Sequence, residues 1–136
     1  MEIGFDNVTL DEAVAIAMHY IEAGKRCRVV TPNAEIAQLC KRDSALCEIV
    51  NTSQLVLPDG IGVVYASRIL GRPLKGRVPG VEFAEKLLDR LQGTGRTVFF
   101  LGAKPGVAQK AADKLMVKYP GLRIAGVLNG YYTDDK

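Results

Sequence analysis

Four short apolar runs alternate with helical patterns along the chain, and this alternation limits the possible folds more than any other feature. The runs cover residues 27–31, 54–57, 97–101 and 122–128. They are largely apolar on both sides, as parallel strands are when helices cover both faces of their sheet. A chain of 136 residues, 48% of them hydrophobic, is long enough for one such domain. The sequence therefore predicts a single α/β domain with a mostly parallel sheet and helices on both faces.

Helical patterns fill the intervals between these runs. Thr9 and Asn33 are predicted to cap the first two helices, because their side-chain oxygens can accept a first-turn N–H. The predicted helices begin at Leu10, Ala34, Ser44, Ile61, Gly80 and just after Gly106, and they end near Gly24, Lys41, Val50, Leu70, Gly93 and Pro120. The apolar spacing of the fifth helix predicts a buried stripe of Val81, Ala84, Leu87, Leu88 and Leu91. In such a fold, ligands bind beyond the carboxyl ends of the strands.

Asp59 directly follows the second apolar run, within the segment Leu-Pro-Asp-Gly-Ile-Gly. Pro58 ends the strand and Gly60 opens a helix, so the Asp59 carboxylate is expected at a strand's carboxyl end. No acid occurs in residues 60–81, whereas four cations do: Arg68, Arg72, Lys75 and Arg77. A single carboxylate beside an acid-free cationic loop predicts a general base that works next to a phosphorylated substrate.

Two other strand ends carry candidate binding residues. Thr31 ends the first strand and Asn33 starts a helix, which together could bind an anion, although capping alone explains Asn33 equally well. In the turn at residues 102–106, Gly102, Lys104 and Gly106 could hold a phosphate through backbone N–H groups and the ammonium. This turn has neither the G-x-G-x-x-G nor the Walker A pattern, so a plain tight turn is an equal alternative.

Charge, cysteine number and hydropathy exclude several classes of protein. The formal charge is only +3 and the few aromatic residues are not interleaved with basic ones, so nucleic acid is not an expected partner. Three cysteines without a C-x-x-C pair predict buried thiols in a reducing compartment. The single histidine, His19, is expected on the solvated face of the first helix. The chain shows neither a leader nor an apolar run of ~20 residues, which predicts a cytoplasmic protein, with membrane-surface contact as an open alternative.

Four motifs together resemble one known family. They are Thr31-Pro-Asn33, Leu57-Pro-Asp-Gly-Ile-Gly62, Arg77-Val-Pro-Gly80 and Leu101-Gly-Ala-Lys-Pro-Gly106, in fitting order and spacing. On these motifs the chain resembles the bacterial WecG/TagA/CpsF-type glycosyltransferases. That family includes N-acetylmannosaminyltransferases of wall teichoic acid synthesis and enzymes of enterobacterial common antigen and capsule assembly. Four matches over most of the chain are far more specific than any single motif.

The resemblance implies a Rossmann-like domain and an inverting hexosyl transfer. N-acetylmannosamine would move from UDP-N-acetylmannosamine to undecaprenyl-diphosphate-linked N-acetylglucosamine, forming a β-linkage. In this interpretation Asp59 is the catalytic base, Thr31 and Asn33 are pocket residues, and Arg77 faces a substrate phosphate. The resemblance also implies self-association and a peripheral position at the cytoplasmic face of the inner membrane.

The sequence shows no D-x-D motif, so a reaction without metal or cofactor is expected, with cations and helix N-termini stabilising the leaving UDP. Family members usually continue past residue 136, so the chain is expected to lack the family's C-terminal part, and the activity of residues 1–136 alone is left open. Two alternatives stand beside this interpretation. One is a relative that uses another UDP-sugar, such as UDP-N-acetylmannosaminuronic acid. The other is a non-catalytic nucleotide-binding or dehydrogenase-like domain, against which the missing G-x-G-x-x-G counts.

Overall fold

The computed structural model describes residues 2–132, which form two compact units that divide after Leu87. The elements are α1 (Leu10–Glu22), β1 (Val29–Val30), α2 (Ala34–Cys40), α3 (Ser44–Asn51), β2 (Leu55–Val56), α4 (Ile61–Ile69), α5 (Gly80–Leu91), β3 (Thr97–Leu101), α6 (Val107–Lys118) and β4 (Arg123–Leu128). The strands form two parallel pairs, β1 with β2 and β3 with β4. The predicted α/β class is confirmed, with helices around parallel strands as in a Rossmann-like fold.

β1 and β2 pair in parallel within the first unit, so their carboxyl ends lie at the same edge. Val30 lies opposite Val56, and the N–H of Leu57 donates to the Val30 carbonyl at 2.9 Å. On the other side of β2, the Val56 N–H donates to the Asp6 carboxylate at 2.7 Å, and the Asp6 N–H donates to the Val56 carbonyl at 2.9 Å. The segment before α1 therefore satisfies backbone groups that the strand pair leaves open.

Both strands are shorter than the apolar runs 27–31 and 54–57 that predicted them. Pro32 and Pro58 stand just beyond the carboxyl ends and have no N–H to continue a ladder. At the amino ends, the Arg28 N–H donates to the side-chain oxygen of Gln54 at 2.7 Å. This side-chain competition for backbone groups shortens the regular pairing, and the apolar pattern alone does not reveal it.

Buried apolar side chains form the core of the first unit. α1 buries Ala13, Val14, Ala17 and Met18. A second cluster contains Cys40, Cys47, Val50 and Val56. The predicted caps are confirmed, because Thr9 Oγ1 accepts the Glu12 N–H at 3.2 Å and Asn33 Oδ1 accepts the Ile36 N–H at 3.0 Å. Local capping and apolar spacing thus define these helices as expected.

The cysteines and the histidine largely follow expectation. Cys40 and Cys47 are buried and not in disulfides, whereas the prediction is wrong for Cys27, which is only partly buried. Burial raises the pKa of the Cys27 thiol, and burial together with the neighbouring Cys47 raises the pKa of the Cys40 thiol. Both groups are therefore protonated, unreactive thiols at neutral pH. His19 is exposed on α1, as predicted.

The buried stripe of α5 differs from the prediction. Val81 is 75% exposed and Ala84 is also exposed, while Phe83, Leu88 and Leu91 are buried. The helix is rotated so that the phenyl ring points inward, because a buried phenylalanine removes far more apolar area from water than a valine or an alanine does.

In the second unit β3 and β4 run parallel, with Thr97 opposite Arg123 and a register shift between Val98 and Phe99. Beyond the shift Phe99 lies opposite Gly126, and a Cβ at Gly126 would lie 2.7 Å from the Phe99 ring, so glycine makes room for that ring. On α6, Ala112 is fully buried, whereas the neighbouring Ala111 is exposed. Within residues 2–132, no helix is both long and apolar enough to span a bilayer.

Candidate active site at the carboxyl ends of β1 and β2

The side chains of Thr31 and Asp59 both approach the backbone of Gly80, the first residue of α5. A Cβ added to Gly80 would lie 3.1 Å from Thr31 Cγ2, 3.3 Å from Thr31 Oγ1 and 3.5 Å from Asp59 Oδ2. The two strand ends and the start of α5 therefore meet at one place. A glycine lets the helix backbone approach this hydroxyl and this carboxylate without displacing them.

Asn33 lies beside Gly60, the residue that follows Asp59. A Cβ on Gly60 would lie 3.7 Å from Asn33 Cβ. The Asn33 side-chain oxygen caps α2, so the structure shows the capping role that the sequence left as one of two alternatives. Gly60 stands at the N-cap of α4 and has no side chain to cap it, so the positive end of the α4 dipole is next to Asp59.

The side chain of Arg77 contacts both the backbone carbonyl and the carboxylate of Asp59. The Arg77 Nε–H donates to the Asp59 carbonyl, and a terminal guanidinium nitrogen lies 3.7 Å from Asp59 Oδ1. The side chains of Arg77 and Asp59 are 50% and 33% exposed, so a ligand can reach both. The structure therefore brings together the predicted base and the predicted phosphate-facing arginine.

The remainder of the basic loop is held by contacts distant in sequence. Lys75 Nζ lies 2.9 Å from Glu12 Oε1, and the Lys75 N–H donates to Asn7 Oδ1 at 2.7 Å. The hydrogen bond from Lys75 lowers the pKa of Glu12 below its ordinary value. The Val78 N–H donates to the Pro58 carbonyl at 2.9 Å, which ties the loop to the end of β2. The sequence prediction overlooked Glu12 because it lies on α1, far from the loop along the chain.

The four cations of this loop are therefore not equivalent. Lys75 and Arg77 pair with carboxylates, whereas Arg68 and Arg72 are exposed and form no ion pair within the described part of the chain. The Lys75 ammonium hydrogen-bonds to both carboxylate oxygens of Glu12, a contact that the sequence pattern of the loop did not reveal.

The other predicted binding residues lie in the second unit. Gly102, Lys104 and Gly106 belong to the turn between β3 and α6. Gly102 and Gly106 have φ values of +139° and +87°, which residues with side chains rarely adopt. Backbone conformation thus accounts for both glycines, as the tight-turn alternative requires. A role of this turn in phosphate binding stays a prediction.

A surface depression at the other end of the strands was compared with the site at Asp59. A surface depression lined by Arg26, Cys27, Arg28, Thr52 and Gln54 lies at the amino ends of β1 and β2. Ligands of parallel α/β sheets bind at the opposite, carboxyl edge, where Asp59 lies, and the candidate site is assigned there.

Among residues 2–132, no three His, Cys, Asp or Glu side chains are grouped closely enough to hold a metal ion.

A comparison with known proteins identifies the family to which a chain with these motifs belongs. The sequence model described as the glycosyl transferase WecG/TagA/CpsF family matches residues 1–136, the whole chain. The chain belongs to the WecG/TagA/CpsF family. The resemblance drawn from the four motifs is thereby confirmed.

Curated relatives of this family member carry the name N-acetylglucosaminyldiphosphoundecaprenol N-acetyl-beta-D-mannosaminyltransferase. The protein of Bacillus spizizenii is 32% identical over 117 residues, which are 86% of this chain and 46% of the relative. The protein of Bacillus subtilis is 34% identical over 116 residues, or 85% of this chain and 45% of the relative. The protein of Staphylococcus aureus strain NCTC 8325 is 31% identical over 125 residues, or 90% and 49%. The chain spans about half the length of these relatives.

In this WecG/TagA/CpsF-family chain, Gly80 is the site residue whose role sequence reasoning missed. The sequence assigned it to the Arg-Val-Pro-Gly motif and to a helix start, but not to a contact with Thr31 and Asp59. A glycine at the first position of a helix, where side chains are tolerated, is the signal that could have indicated a close approach.

A methyl group at Gly80 should strain the site. We expect Gly80→Ala to lower the free energy of unfolding by roughly 1–3 kcal/mol, as overpacking does. Thr31→Ala removes the two atoms closest to the new methyl group, so the double variant should regain most of that loss. Urea denaturation of the wild type, both single variants and the double variant measures this coupling.

The matched control is Gly62→Ala in α4, where an added Cβ meets nothing within 4 Å among the described residues. Alanine is the better helix former, so this variant should be neutral or slightly stabilising. If the changes in the free energy of unfolding for Gly80→Ala and Thr31→Ala were strictly additive, the two positions would not be in steric conflict.

Proposed function

We propose that this protein transfers N-acetylmannosamine from UDP-N-acetylmannosamine to undecaprenyl-diphosphate-linked N-acetylglucosamine, with inversion to a β-linkage, in cell-wall polymer synthesis. One observation carries the proposal: the accessible Asp59 carboxylate lies at the strand ends, next to Thr31 and Gly80 and in contact with Arg77. Membership of the glycosyl transferase family and the names of the curated relatives support it.

In the proposed reaction Asp59 acts as general base. A hydroxyl of the acceptor sugar attacks the anomeric carbon of the donor while the Asp59 carboxylate takes the hydroxyl proton. The bond between the anomeric carbon and the UDP oxygen breaks on the opposite face, and its electron pair leaves with UDP. Attack from the face opposite to the leaving group inverts the configuration. The one-third exposure of the Asp59 side chain leaves it accessible to a hydroxyl group.

The departing diphosphate develops negative charge, which the loop and α4 are arranged to stabilise. The Arg77 guanidinium is planar and can donate two parallel hydrogen bonds to phosphate oxygens. The N-terminus of α4 begins two residues after Asp59 and presents backbone N–H groups and the positive end of its dipole. These groups act together as preorganised stabilisation of the leaving group, and the proposed reaction uses no metal.

A transfer assay tests the proposal on the protein at its natural length. We expect UDP-N-acetylmannosamine and a short-chain lipid diphosphate carrying N-acetylglucosamine to give a disaccharide whose new linkage is β by NMR. Preferred transfer from UDP-N-acetylmannosaminuronic acid would instead support the relative with another donor. Calorimetric binding of NAD without binding of UDP would refute the transferase and support the dehydrogenase-like alternative.

Replacement of Arg77 should weaken binding of the donor diphosphate. A hydrogen bond to a charged group contributes roughly 1.5–3 kcal/mol, so Arg77→Ala should raise the Kd for UDP by about one to two orders of magnitude. Arg77→Lys keeps the charge but loses the planar donor pair, so its Kd should be intermediate. Titration calorimetry with UDP measures the Kd of each variant.

Arg72→Ala is the matched control for this prediction, because Arg72 lies in the same loop but makes no contact with Asp59. It should leave the Kd for UDP close to that of the wild type. An equal loss in both variants would assign the effect to the general charge of the loop and remove Arg77 from the specific site.

A further inference from the structure

Asp6 and Asn7, which precede α1, contact the two segments of the chain that meet at the candidate site. Asp6 is bonded to β2, because its carboxylate accepts the Val56 N–H at 2.7 Å and its own N–H donates to the Val56 carbonyl at 2.9 Å. Asn7 is bonded to the basic loop, because its side-chain oxygen accepts the Lys75 N–H at 2.7 Å. Two consecutive residues thus join the strand that leads to the carboxylate and the loop that carries the guanidinium.

These hydrogen bonds lie close in sequence to Asp59 and Arg77. Val56 precedes Asp59 by three residues, and Lys75 precedes Arg77 by two. A link of two residues spans no more than about 7 Å, so a loop that is fixed at the Lys75 N–H leaves the Arg77 backbone little room to move. The segment before α1 therefore restricts the distance between the carboxylate and the guanidinium.

Glu12 binds the same loop residue from α1. Both oxygens of its carboxylate accept hydrogen bonds from the Lys75 ammonium, at 2.9 and 3.2 Å. Glu12 is the third residue after the N-cap Thr9, so it occupies the glutamate position of a capping box in the first turn of the helix. Lys75 is thus held both at its backbone N–H and at its side chain.

Two further hydrogen bonds hold the loop upstream and downstream of Arg77. The Leu74 N–H donates to Ser67 Oγ at 3.1 Å, and the Val78 N–H donates to the Pro58 carbonyl at 2.9 Å. The loop is therefore fixed on both sides of the guanidinium before a ligand arrives. Preorganisation of this kind raises affinity, because fewer groups lose conformational freedom on binding.

We propose that Asn7 and Glu12 are positioning residues for Arg77. They act through Lys75, whose backbone N–H and ammonium they bind, and so keep the guanidinium beside Asp59. This inference rests on the proposed function, because the ligand that the guanidinium would bind is the diphosphate of the proposed donor. Lys75 then serves to fix the loop, and the effect of Asn7 and Glu12 on ligand binding passes through Arg77.

Binding of UDP to the protein at its natural length, measured by titration calorimetry, tests the proposal. Asn7→Ala removes the acceptor of the Lys75 N–H and should raise the Kd for UDP roughly two- to tenfold, the factor that corresponds to one lost hydrogen bond. Asn7→Asp keeps an acceptor oxygen at the same position, so its Kd should lie closer to that of the wild type. A wild-type Kd in Asn7→Ala would overturn the proposal.

A double-variant cycle separates positioning from a general loss of stability. If Asn7 acts through Arg77, Asn7→Ala should change the Kd for UDP by less than about twofold in a protein that already carries Arg77→Ala. The same increase in both backgrounds would overturn the proposal, because Asn7 would then affect binding independently of Arg77. Asn7 is exposed, so urea denaturation should show that the single and double variants are folded.

Glu12→Gln has a matched control in Asp11→Asn. Glutamine can replace glutamate in the capping box, so Glu12→Gln removes the ionic contact and should raise the Kd for UDP by no more than about fivefold. Asp11 lies beside Glu12 in the first turn of α1 and forms a comparable ion pair, 2.8 Å from Lys86 Nζ. Asp11→Asn should therefore bind UDP like the wild type, and an equal increase in both variants would refute the role of Glu12.

A measurement without any ligand separates positioning from the proposed function. The Arg77 Nε–H donates to the Asp59 carbonyl, so its NMR signal should exchange with water more slowly than that of Arg72. Asn7→Ala should speed the exchange of the Arg77 signal and leave the Arg72 signal unchanged. This result supports positioning even if the wild type fails to bind UDP, which would refute the proposed donor. If the wild type binds UDP and neither the exchange rate nor the Kd responds to Asn7→Ala, positioning is refuted and the transferase proposal stays intact.

Discussion

Asp59→Asn should lower turnover by ~10²–10⁴-fold, the usual range for loss of a general base, while the Kd for the UDP-sugar stays near that of the wild type. Asparagine keeps the shape of the side chain and can still hydrogen-bond, but it cannot accept the proton of the acceptor hydroxyl. The loss should therefore appear in kcat. Steady-state kinetics and donor binding on the protein at its natural length measure the two quantities separately.

Asp43→Asn provides the matched control for this substitution. Asp43 caps α3 by accepting the Leu46 N–H at 3.0 Å, a role that asparagine fills equally well. No backbone N–H of residues 2–132 is seen to donate to the Asp59 side chain, so a capping role does not account for Asp59. If Asp59→Asn behaved like Asp43→Asn, with near-normal turnover, the carboxylate would be structural and another residue would have to act as the base.

Leu57→Ala should have the largest effect on stability, a loss of roughly 2–5 kcal/mol in the free energy of unfolding. Leu57 is fully buried, and its N–H belongs to the ladder with β1 at 2.9 Å. Alanine would leave a cavity directly beneath the segment that carries Pro58 and Asp59. Urea denaturation should show the lower midpoint, and Leu57→Met, which nearly conserves volume, should lose less than about 1.5 kcal/mol.

Leu101→Ala is the control for this prediction, since Leu101 is a leucine at the carboxyl end of β3 but is exposed. Surface changes of this kind usually alter stability by no more than about 0.5 kcal/mol. Similar losses for Leu57→Ala and Leu101→Ala would contradict the assignment of Leu57 to the core.

Much of the fold could be predicted because it depends on local signals. The alternation of apolar runs and helical patterns indicated parallel strands among helices, and the caps at Thr9 and Asn33 lie where they were expected. The errors have a common cause. The burial of Phe83 in place of Val81, and the short β1 and β2, depend on which side chains compete for space and for hydrogen bonds.

For the candidate site, the sequence identified the residues but not their contacts. Thr31, Asn33, Asp59 and Arg77 were predicted from strand ends, turn chemistry and family motifs. The parallel pairing of β1 and β2 brought three of them to one edge, and the hydrogen bond from Arg77 to the Asp59 carbonyl joined the fourth. The ion pair between Lys75 and Glu12 was not predictable, because Glu12 lies on α1, far from the loop in the sequence.

The sequence by itself determined where strands stop and helices start, since proline lacks an N–H and capping oxygens act on residues three positions away. It also determined the family, through four motifs and their order. Only the tertiary structure decided that Gly80 approaches Thr31 and Asp59, and that α4 keeps an apolar face uncovered by the described residues. Those features depend on how side chains of different shape pack between elements that are distant in sequence, and local propensity carries no information about such packing.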